Sequence, residues 1–124
     1  MTRAPRILVA DDEPAITVLL AHILEHSGFV VFRAHGGVEA LTLARAERPD
    51  LVLLDVMMPD LDGRDVCHVL KMDQDLRGIP VVLFSSADEQ DVHWRAAGAD
   101  AFLQKPFDIR SLPAFVRDRL GGAP

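Results

Sequence analysis

The stretch LVLLDVMMPDLDG, from Leu51 to Gly63, determines how the chain can be interpreted. Four apolar residues precede Asp55, and a run this apolar is typical of a strand buried on both faces of a sheet. A carboxylate at the end of such a strand is costly to bury unless it is paired or binds a metal ion. Asp55 is therefore either a structural capping group or part of a chemical site.

The composition is that of one globular domain. A chain of 124 residues with 49% hydrophobic residues is long enough to bury a core. The formal net charge of -6 argues against direct binding to DNA or RNA, which needs a basic face. The single cysteine, Cys67, excludes an internal disulfide and fits a reducing compartment. Because no apolar run reaches membrane-spanning length, we expect a cytoplasmic protein without membrane contact.

Apolar runs of strand length alternate with helical patterns along the whole chain. We predict strands at 6–10, 29–34, 51–56, 81–86 and 101–105. We predict helices from Pro14 to Ser27, from Val38 to Glu47, from Gly63 onward, from Asp88 to Ala97, and from about Ser111 to Leu120. Five successive β-α units require a parallel sheet with helices on both faces and right-handed crossovers. The predicted fold is therefore α/β and doubly wound.

Polar side chains stand at the carboxyl ends of four predicted strands. They are Asp11 and Asp12 after strand 1, Asp55 in strand 3, Ser85 and Ser86 in strand 4, and Lys105 in strand 5. The carboxyl ends of parallel strands meet at one edge, where open α/β sheets bind their ligands. We expect these groups to converge there.

The residue types at this edge suit phosphoryl transfer. Three neighbouring carboxylates repel one another unless a cation lies among them, and oxygen ligands favour Mg²⁺. Lys105 and a serine hydroxyl could neutralise and bind a phosphoryl group, and a carboxylate can act as the nucleophile. A purely structural interpretation stays open: Asp11 and Asp12 would cap the first helix. Ser86 or Asp88 would then cap the fourth helix, and Lys105 would pair with a nearby acid.

Four segments in this order resemble one family. ILVADDEP, LVLLDVMMPDLDG, IPVVLFSSAD and AGADAFLQKPF are similar to the motifs of the receiver domains of two-component response regulators. The resemblance covers about residues 6–120, so we expect residues 1–124 to form a single receiver domain. It implies a flavodoxin-like (βα)5 sandwich with the five-stranded parallel sheet in the order 2-1-3-4-5.

The resemblance also implies a role for each residue of the acid cluster. Asp55 corresponds to the phosphoacceptor, and Asp12 to a direct ligand of Mg²⁺ (or Mn²⁺). Asp11 would reach the metal ion through water. The backbone carbonyl of Met57 would be a further ligand, which explains why an apolar side chain is acceptable at that position.

The remaining motif positions imply a switch. Ser86 resembles the hydroxyl that closes on the phosphoryl group, and Lys105 resembles the phosphate-binding lysine. Phe102, three residues before Lys105, matches the aromatic switch position. The Lys105–Pro106 peptide bond is often cis in the family.

The mechanism that the resemblance implies is self-phosphorylation from a protein donor. A histidine kinase or histidine phosphotransfer protein would present phosphohistidine to Asp55. The surface of helix 4, strand 5 and helix 5 would then change its preference for an effector or for a second copy in a homodimer. Such a protein is not an enzyme acting on an external substrate. The output partner cannot be identified from the sequence, and we expect a stand-alone chain.

Three features depart from the family pattern. The interval from Ser86 to Lys105 is shorter by roughly three residues, which predicts a truncated helix 4. Pro113 should shift or bend the start of the last helix. Phe102 lacks the hydroxyl of a tyrosine, so we expect a looser switch. Met57 and Asp88 flank the expected path of the attacking water, and we predict slow to moderate loss of phosphate.

Three other functions remain to be weighed. An Asp-nucleophile phosphatase of the haloacid dehalogenase type usually needs a second acid two residues after the nucleophile, where this chain has Met57. A binder of flavin mononucleotide would need a phosphate-cradling loop, but the chain has the acidic segment ADDEPA. A pseudo-receiver used only for protein interaction is disfavoured by the complete set of acids, serine and lysine.

Two residues outside the motifs have more than one interpretation. Cys67 beside His68 could be a reactive thiol, but a packed cysteine on the third helix is the expectation. Trp94 could pack half-buried against the fold, or it could be exposed and anchor a partner.

Overall fold

The computed structural model describes residues 3–121. Five parallel strands alternate with helices: β1 (Arg6–Ala10), β2 (Val30–Ala34), β3 (Leu51–Asp55), β4 (Val81–Ser85) and β5 (Ala101–Gln104). The helices are α1 (Pro14–His26), α2 (Gly37–Glu47), α3 (Gly63–Met72), α4 (Glu89–Val92) and α5 (Leu112–Arg119). Within this range no helix has both the length and the apolar character that crossing a membrane requires.

The strand order is β2-β1-β3-β4-β5, as predicted, and every pairing is parallel. Alternating side chains of the central strands enter two separate cores. The α3-side core contains Val52, Leu54 and Leu83, and the α1-side core contains Leu51, Leu53 and Phe84. Every residue of β3 is buried, because helices cover both of its faces. The interpretation of Leu51 to Asp55 as a doubly buried strand is confirmed.

Helix α1 begins and ends where the sequence predicts. Pro14 is its first residue, and Gly28 follows its end with a φ of 97°, a conformation that glycine adopts without strain. Apolar residues recur at helical spacing in α1, at Ile16, Leu19, Leu20, Ile23 and Leu24, and this pattern predicts that all five lie on one buried face. The observed buried face is narrower. Leu20 and Leu24 are buried, whereas Leu19 is 40% exposed. The pattern Val38, Leu41 and Ala44 predicts the face of α2 in the same way, but Val38 is 58% exposed and the core contacts come from small residues such as Ala40 and Ala44.

The fourth helix is much shorter than the predicted range of Asp88 to Ala97. It consists of the single turn Glu89–Val92, and the Asp88 side chain caps it by accepting from the backbone N–H of Gln90. His93 then adopts a left-handed conformation with a φ of 55°, which ends the α-helix. The residues up to Gly98 form turns instead.

The last helix starts close to the predicted residue. A 3-10 turn, Ile109–Ser111, precedes it, and α5 begins at Leu112. Pro113 is therefore in the first turn, where its missing N–H would have had no partner within the helix. The expected bend is replaced by a change of helix type.

Helix α3 begins directly beneath the end of β3, and this close approach requires glycine. A Cβ on Gly63 would lie 2.2 Å from the backbone oxygen of Asp55. We expect Gly63→Ala to lower the free energy of unfolding by at least about 2 kcal/mol, because backbone must shift to admit the methyl group. Urea unfolding followed by circular dichroism measures the change.

Gly78→Ala is the matched control for this prediction. A Cβ on Gly78 would meet no atom within 4 Å, so its effect should stay within about 0.5 kcal/mol. Equal effects of the two substitutions would show that the contact at Gly63 imposes no constraint.

Candidate functional site

Three carboxylates meet at the carboxyl edge of the sheet. Asp11 follows β1, and Asp55 ends the neighbouring strand β3. Asp11, Asp12 and Asp55 each offer a ligand oxygen, and these oxygens lie within 4.8 Å of one another. Asp11 and Asp55 are buried, while Asp12 is exposed. The sequence predicted this convergence from the parallel topology alone.

Lys105, the residue after β5, faces the two buried carboxylates. Its Nζ lies 3.2 Å from Asp11 Oδ2 and 3.7 Å from Asp55 Oδ2. The ammonium group also lies 4.9 Å from the centre of the Phe84 ring. The peptide bond between Lys105 and Pro106 is cis. The single positive charge of Lys105 can neutralise only one of the two buried carboxylates, so the cluster retains excess negative charge.

The capping interpretation fails for the first helix. The N-cap of α1 is Glu13, whose side chain makes no capping bond. Asp11 Oδ1 accepts from the backbone N–H of Glu13, and its Oδ2 accepts from Lys105. Both oxygens of Asp11 are therefore fixed in the cluster, with one oxygen directed to the ammonium group.

The electrostatic state of Asp55 reflects this crowding. Burial, followed by the charge of Asp11, raises the pKa of the Asp55 carboxyl to about 6. Lys105 and the backbone N–H of Met57, whose nitrogen is 3.3 Å from Asp55 Oδ1, act in the opposite direction but do not cancel the increase. Excess charge on oxygen ligands that are already close together is the condition that a hard divalent cation relieves. The donor set therefore fits Mg²⁺ or Mn²⁺.

The two serines after Phe84 belong to opposite sides of the sheet. Ser85 is buried, and its Oγ accepts from the N–H of Ala87, which packs on the α3-side core. Ser86 is exposed and lines a groove of about 360 Å³ with Phe84 and Lys105, on the α1 side.

The aromatic switch position lies on the α3 side. Phe102 packs against the α3-side core and pairs across the sheet with Leu83, two residues before Ser85. Because side chains of a strand alternate between faces, Ser85 follows Leu83 on the Phe102 side, while the role of Ser86 in the switch stays a prediction. Counted from Ser85, the interval to Lys105 is also one residue longer.

Trp94 covers Phe102 from outside. The two rings are stacked, with their centres 6.5 Å apart and an interplanar angle of 14°. The Arg95 guanidinium lies 4.2 Å from the centre of the Trp94 ring, and the indole N–H donates to Glu89. Half-buried packing, the simpler of the two interpretations of Trp94, is confirmed. Cys67 is likewise buried, and burial raises the pKa of its thiol to about 11, so it is not a reactive thiolate.

A doubly wound five-stranded sheet with three carboxylates and a lysine at one edge is the arrangement of the receiver class of signalling domains. The family model described as response regulator receiver domain matches residues 7–117. The chain belongs to this family, whose members are the receiver domains of two-component systems.

Similar proteins agree with this assignment. The chain is 43% identical over 121 residues to the DNA-binding response regulator MtrA of Mycolicibacterium smegmatis, covering 96% of this chain and 52% of that protein. It is 42% identical over 114 residues to the transcriptional regulatory protein PhoP of Bacillus subtilis, covering 90% and 47%. The chain thus spans about half the length of these relatives.

Solved receiver structures share the fold. The receiver domain of a signal transduction histidine kinase from Syntrophus aciditrophicus superposes with a TM-score of 0.88 at 38% identity, covering 97% of this chain and 92% of that one. The chemotaxis response regulator CheY4 of Vibrio cholerae gives 0.86 at 28% identity, covering 94% and 98%.

The raised pKa of Asp55 has a consequence for metal-free stability. An aspartate whose pKa is about 6 when folded and near 3.8 when unfolded loses folding stability as the pH rises from about 4 to 6. In EDTA at pH 7, we expect Asp55→Asn to raise the free energy of unfolding by about 2 kcal/mol. At pH 4 most of this advantage should disappear, because the folded wild type then carries a neutral Asp55.

Urea unfolding of both proteins at the two pH values measures this difference. A stabilisation of equal size at pH 4 and pH 7 would contradict the electrostatic origin.

Proposed function

We propose that Asp55 accepts a phosphoryl group from the phosphohistidine of a histidine kinase or histidine phosphotransfer protein. The observation that carries this proposal is the buried Asp55 carboxylate, flanked by Asp11 and Lys105 within one acid cluster. Its pKa of about 6 leaves the carboxylate ionised, and so nucleophilic, at neutral pH. Membership of the receiver family supports the same role.

Each residue at the carboxyl edge of the sheet would have a separate role in phosphoryl transfer. An Asp55 oxygen forms the bond to phosphorus while the bond between phosphorus and the donor's histidine nitrogen breaks. Asp12, Asp55 and the Met57 carbonyl would hold Mg²⁺ or Mn²⁺ directly, and Asp11 would hold it through water. The ion would offset the negative charge that collects on the phosphoryl oxygens. Lys105 is free to donate to one of those oxygens when the charge on Asp55 is shared with phosphorus.

The competing functions lack a supporting feature. The side chain of Met57, where a phosphatase would need its general acid, is 64% exposed and has no titratable group. A pseudo-receiver would have no need for Lys105 between two buried carboxylates. We therefore propose a phosphoaccepting domain that modifies only itself and does not turn over an external substrate.

Acetyl phosphate tests the proposal without a cognate kinase. We expect intact-mass spectrometry to detect one added phosphoryl group on the wild type with Mg²⁺ present, and none after EDTA treatment. Asp55→Asn should abolish the addition, because an amide is not a nucleophile towards phosphorus. Asp73→Asn, at the far end of α3, is the matched control and should be phosphorylated normally.

Phosphorylation of Asp55→Asn would show that another residue is the phosphoacceptor. No addition under any condition would favour the pseudo-receiver.

We further propose that Ser85, rather than Ser86, works with Phe102 in the switch. Ser86 remains a candidate for contact with the phosphoryl group, since it borders the groove beside Lys105. A hydroxyl that vacates space for Phe102 must, however, face the same core, and Ser85 does. Trp94, the only tryptophan, stacks on Phe102 and would sense a movement of that ring.

The two serines can be separated by one fluorescence experiment. We expect beryllium fluoride with Mg²⁺, a stable phosphoryl mimic, to change Trp94 emission in the wild type. Ser85→Ala should remove at least half of this change, whereas Ser86→Ala should keep it, because only Ser85 shares a face with Phe102. The opposite result would assign the switch to Ser86.

The remaining features of the proposal concern partners and lifetime. We propose that this chain does not itself contact nucleic acid, because its net charge is -6. A homodimer through α4, β5 and α5 would depend mainly on β5 and α5, since α4 is one turn long. Asp88 already accepts from Gln90, so its ability to orient water is reduced, in line with slow to moderate loss of phosphate.

A further inference from the structure

Asp60 is an acid of the β3–α3 loop that faces away from the cluster. Its Oδ1 accepts from the backbone N–H of Gly37 at 2.9 Å and from that of Leu61 at 2.9 Å. Its Oδ2 accepts from the N–H of Val38 at 3.0 Å. These bonds, led by those from Val38 and Gly37, hold the pKa of Asp60 below its usual range, so it is ionised at neutral pH.

Asp60 thus supplies a cap that α2 cannot provide for itself. The N-cap residue of α2 is Gly36, which has no side chain to accept from the first N–H groups. Asp60 does so from 23 residues away in the sequence. Its negative charge also lies at the end of the helix where the macrodipole is positive.

Two adjacent glycines at the start of α2 allow the β3–α3 loop to pack closely against this helix. A Cβ on Gly36 would lie 3.0 Å from both carboxylate oxygens of Asp60. A Cβ on Gly37 would lie 2.5 Å from Leu61 Cβ, a distance that real contacts do not reach. The loop therefore fits against α2 because neither position carries a side chain.

The other end of the loop is anchored beside the phosphoacceptor. The N–H of Gly63 donates to the carbonyl of Val56 at 2.9 Å, and the N–H of Met57 donates to Asp55 Oδ1 at 3.3 Å. Residues 57–60 thus run between an anchor at Asp55 and an anchor at α2. Met57, whose carbonyl is assigned to the metal ion, lies within this short span.

We propose that Asp60 is a positioning residue for the metal site: by fastening the loop to the start of α2, it fixes the Met57 carbonyl. This inference rests on the proposed function. It gives Asp60 a role at a distance, since its own oxygens are occupied by three N–H groups. Without the hydrogen bonds of Asp60, the loop would become ordered only when the metal ion binds. The entropy cost of that ordering would lower the affinity for the ion.

Isothermal titration of Mg²⁺ into chelator-treated protein tests the proposal. We expect Asp60→Ala to weaken Mg²⁺ binding about threefold to tenfold, less than the loss of a group that contacts a direct ligand. Asp60→Asn keeps one carbonyl oxygen, so its loss should be smaller. Asp73→Ala is the control, because it removes an equal charge and one local backbone bond, to Asp75, at the opposite end of the molecule.

Amide hydrogen exchange provides a readout that does not depend on the metal ion. In Asp60→Ala, exchange should accelerate at Gly37, Val38 and Leu61, whose N–H groups lose their acceptor. Because Asp60 is exposed, its truncation opens no cavity, and both measurements can be made well below the unfolding temperature.

The outcomes separate this inference from the proposed function. Unchanged Mg²⁺ affinity in Asp60→Ala, with normal binding by the wild type, would overturn the role of Asp60 and leave the proposed function intact. An equal loss in Asp73→Ala would reduce the effect to net charge and overturn the inference as well. No Mg²⁺ binding by the wild type would overturn the proposed function, and this inference with it.

Discussion

The constraint on which the site depends is the burial of two neighbouring carboxylates with one ammonium group between them. Parallel strands leave their carboxyl ends at a common edge, so Asp11 and Asp55 are brought together by the topology itself. Lys105 neutralises part of the charge, and the remainder persists as the raised pKa of Asp55. The fold thus maintains an unfavourable arrangement of charges that a divalent cation would relieve.

Contacts of α3 fix the position of the strand end that carries Asp55. The crowded approach of Gly63 to the Asp55 carbonyl fixes α3 to the end of β3. Asp62 caps α3 by accepting from the N–H of Arg64, and Arg64 in turn donates to the carbonyl of Val92 at the end of α4. One side chain therefore joins the loop after the phosphoacceptor to the element that precedes Trp94.

The sequence predicted the fold and the acid cluster because both depend on local signals. Strand and helix periods, with breaks at residues such as Pro14 and Gly28, define the β-α order. The parallel topology then brings the polar strand ends together without further information. The length of α4 depends instead on tertiary contacts: Trp94 stacks on Phe102, and His93 leaves the helical conformation.

The placement of the two serines likewise depends on tertiary structure. Ser85 and Ser86 are identical residues one position apart, and only the register of β4 against β5 distinguishes their faces. The reduced width of the buried face of α1 arises from packing as well, since Thr17 and Ala21 occupy core positions that an apolar pattern does not reveal. The contacts of Asp60 could not be predicted from the sequence, because its partners Gly37 and Val38 belong to the start of α2, more than 20 residues earlier in the chain.

The half-buried indole of Trp94 stacks with Phe102 at a centre-to-centre distance of 6.5 Å and has the Arg95 guanidinium 4.2 Å from its ring centre. A macromolecule that approaches this surface meets Trp94 together with charged and polar groups such as Arg95, Glu89 and His93. Recognition here would be governed by charge complementarity, with association that is rapid at low ionic strength and weakened by added salt. The single turn of α4 thus leaves a surface at which charged groups would contribute much of the recognition.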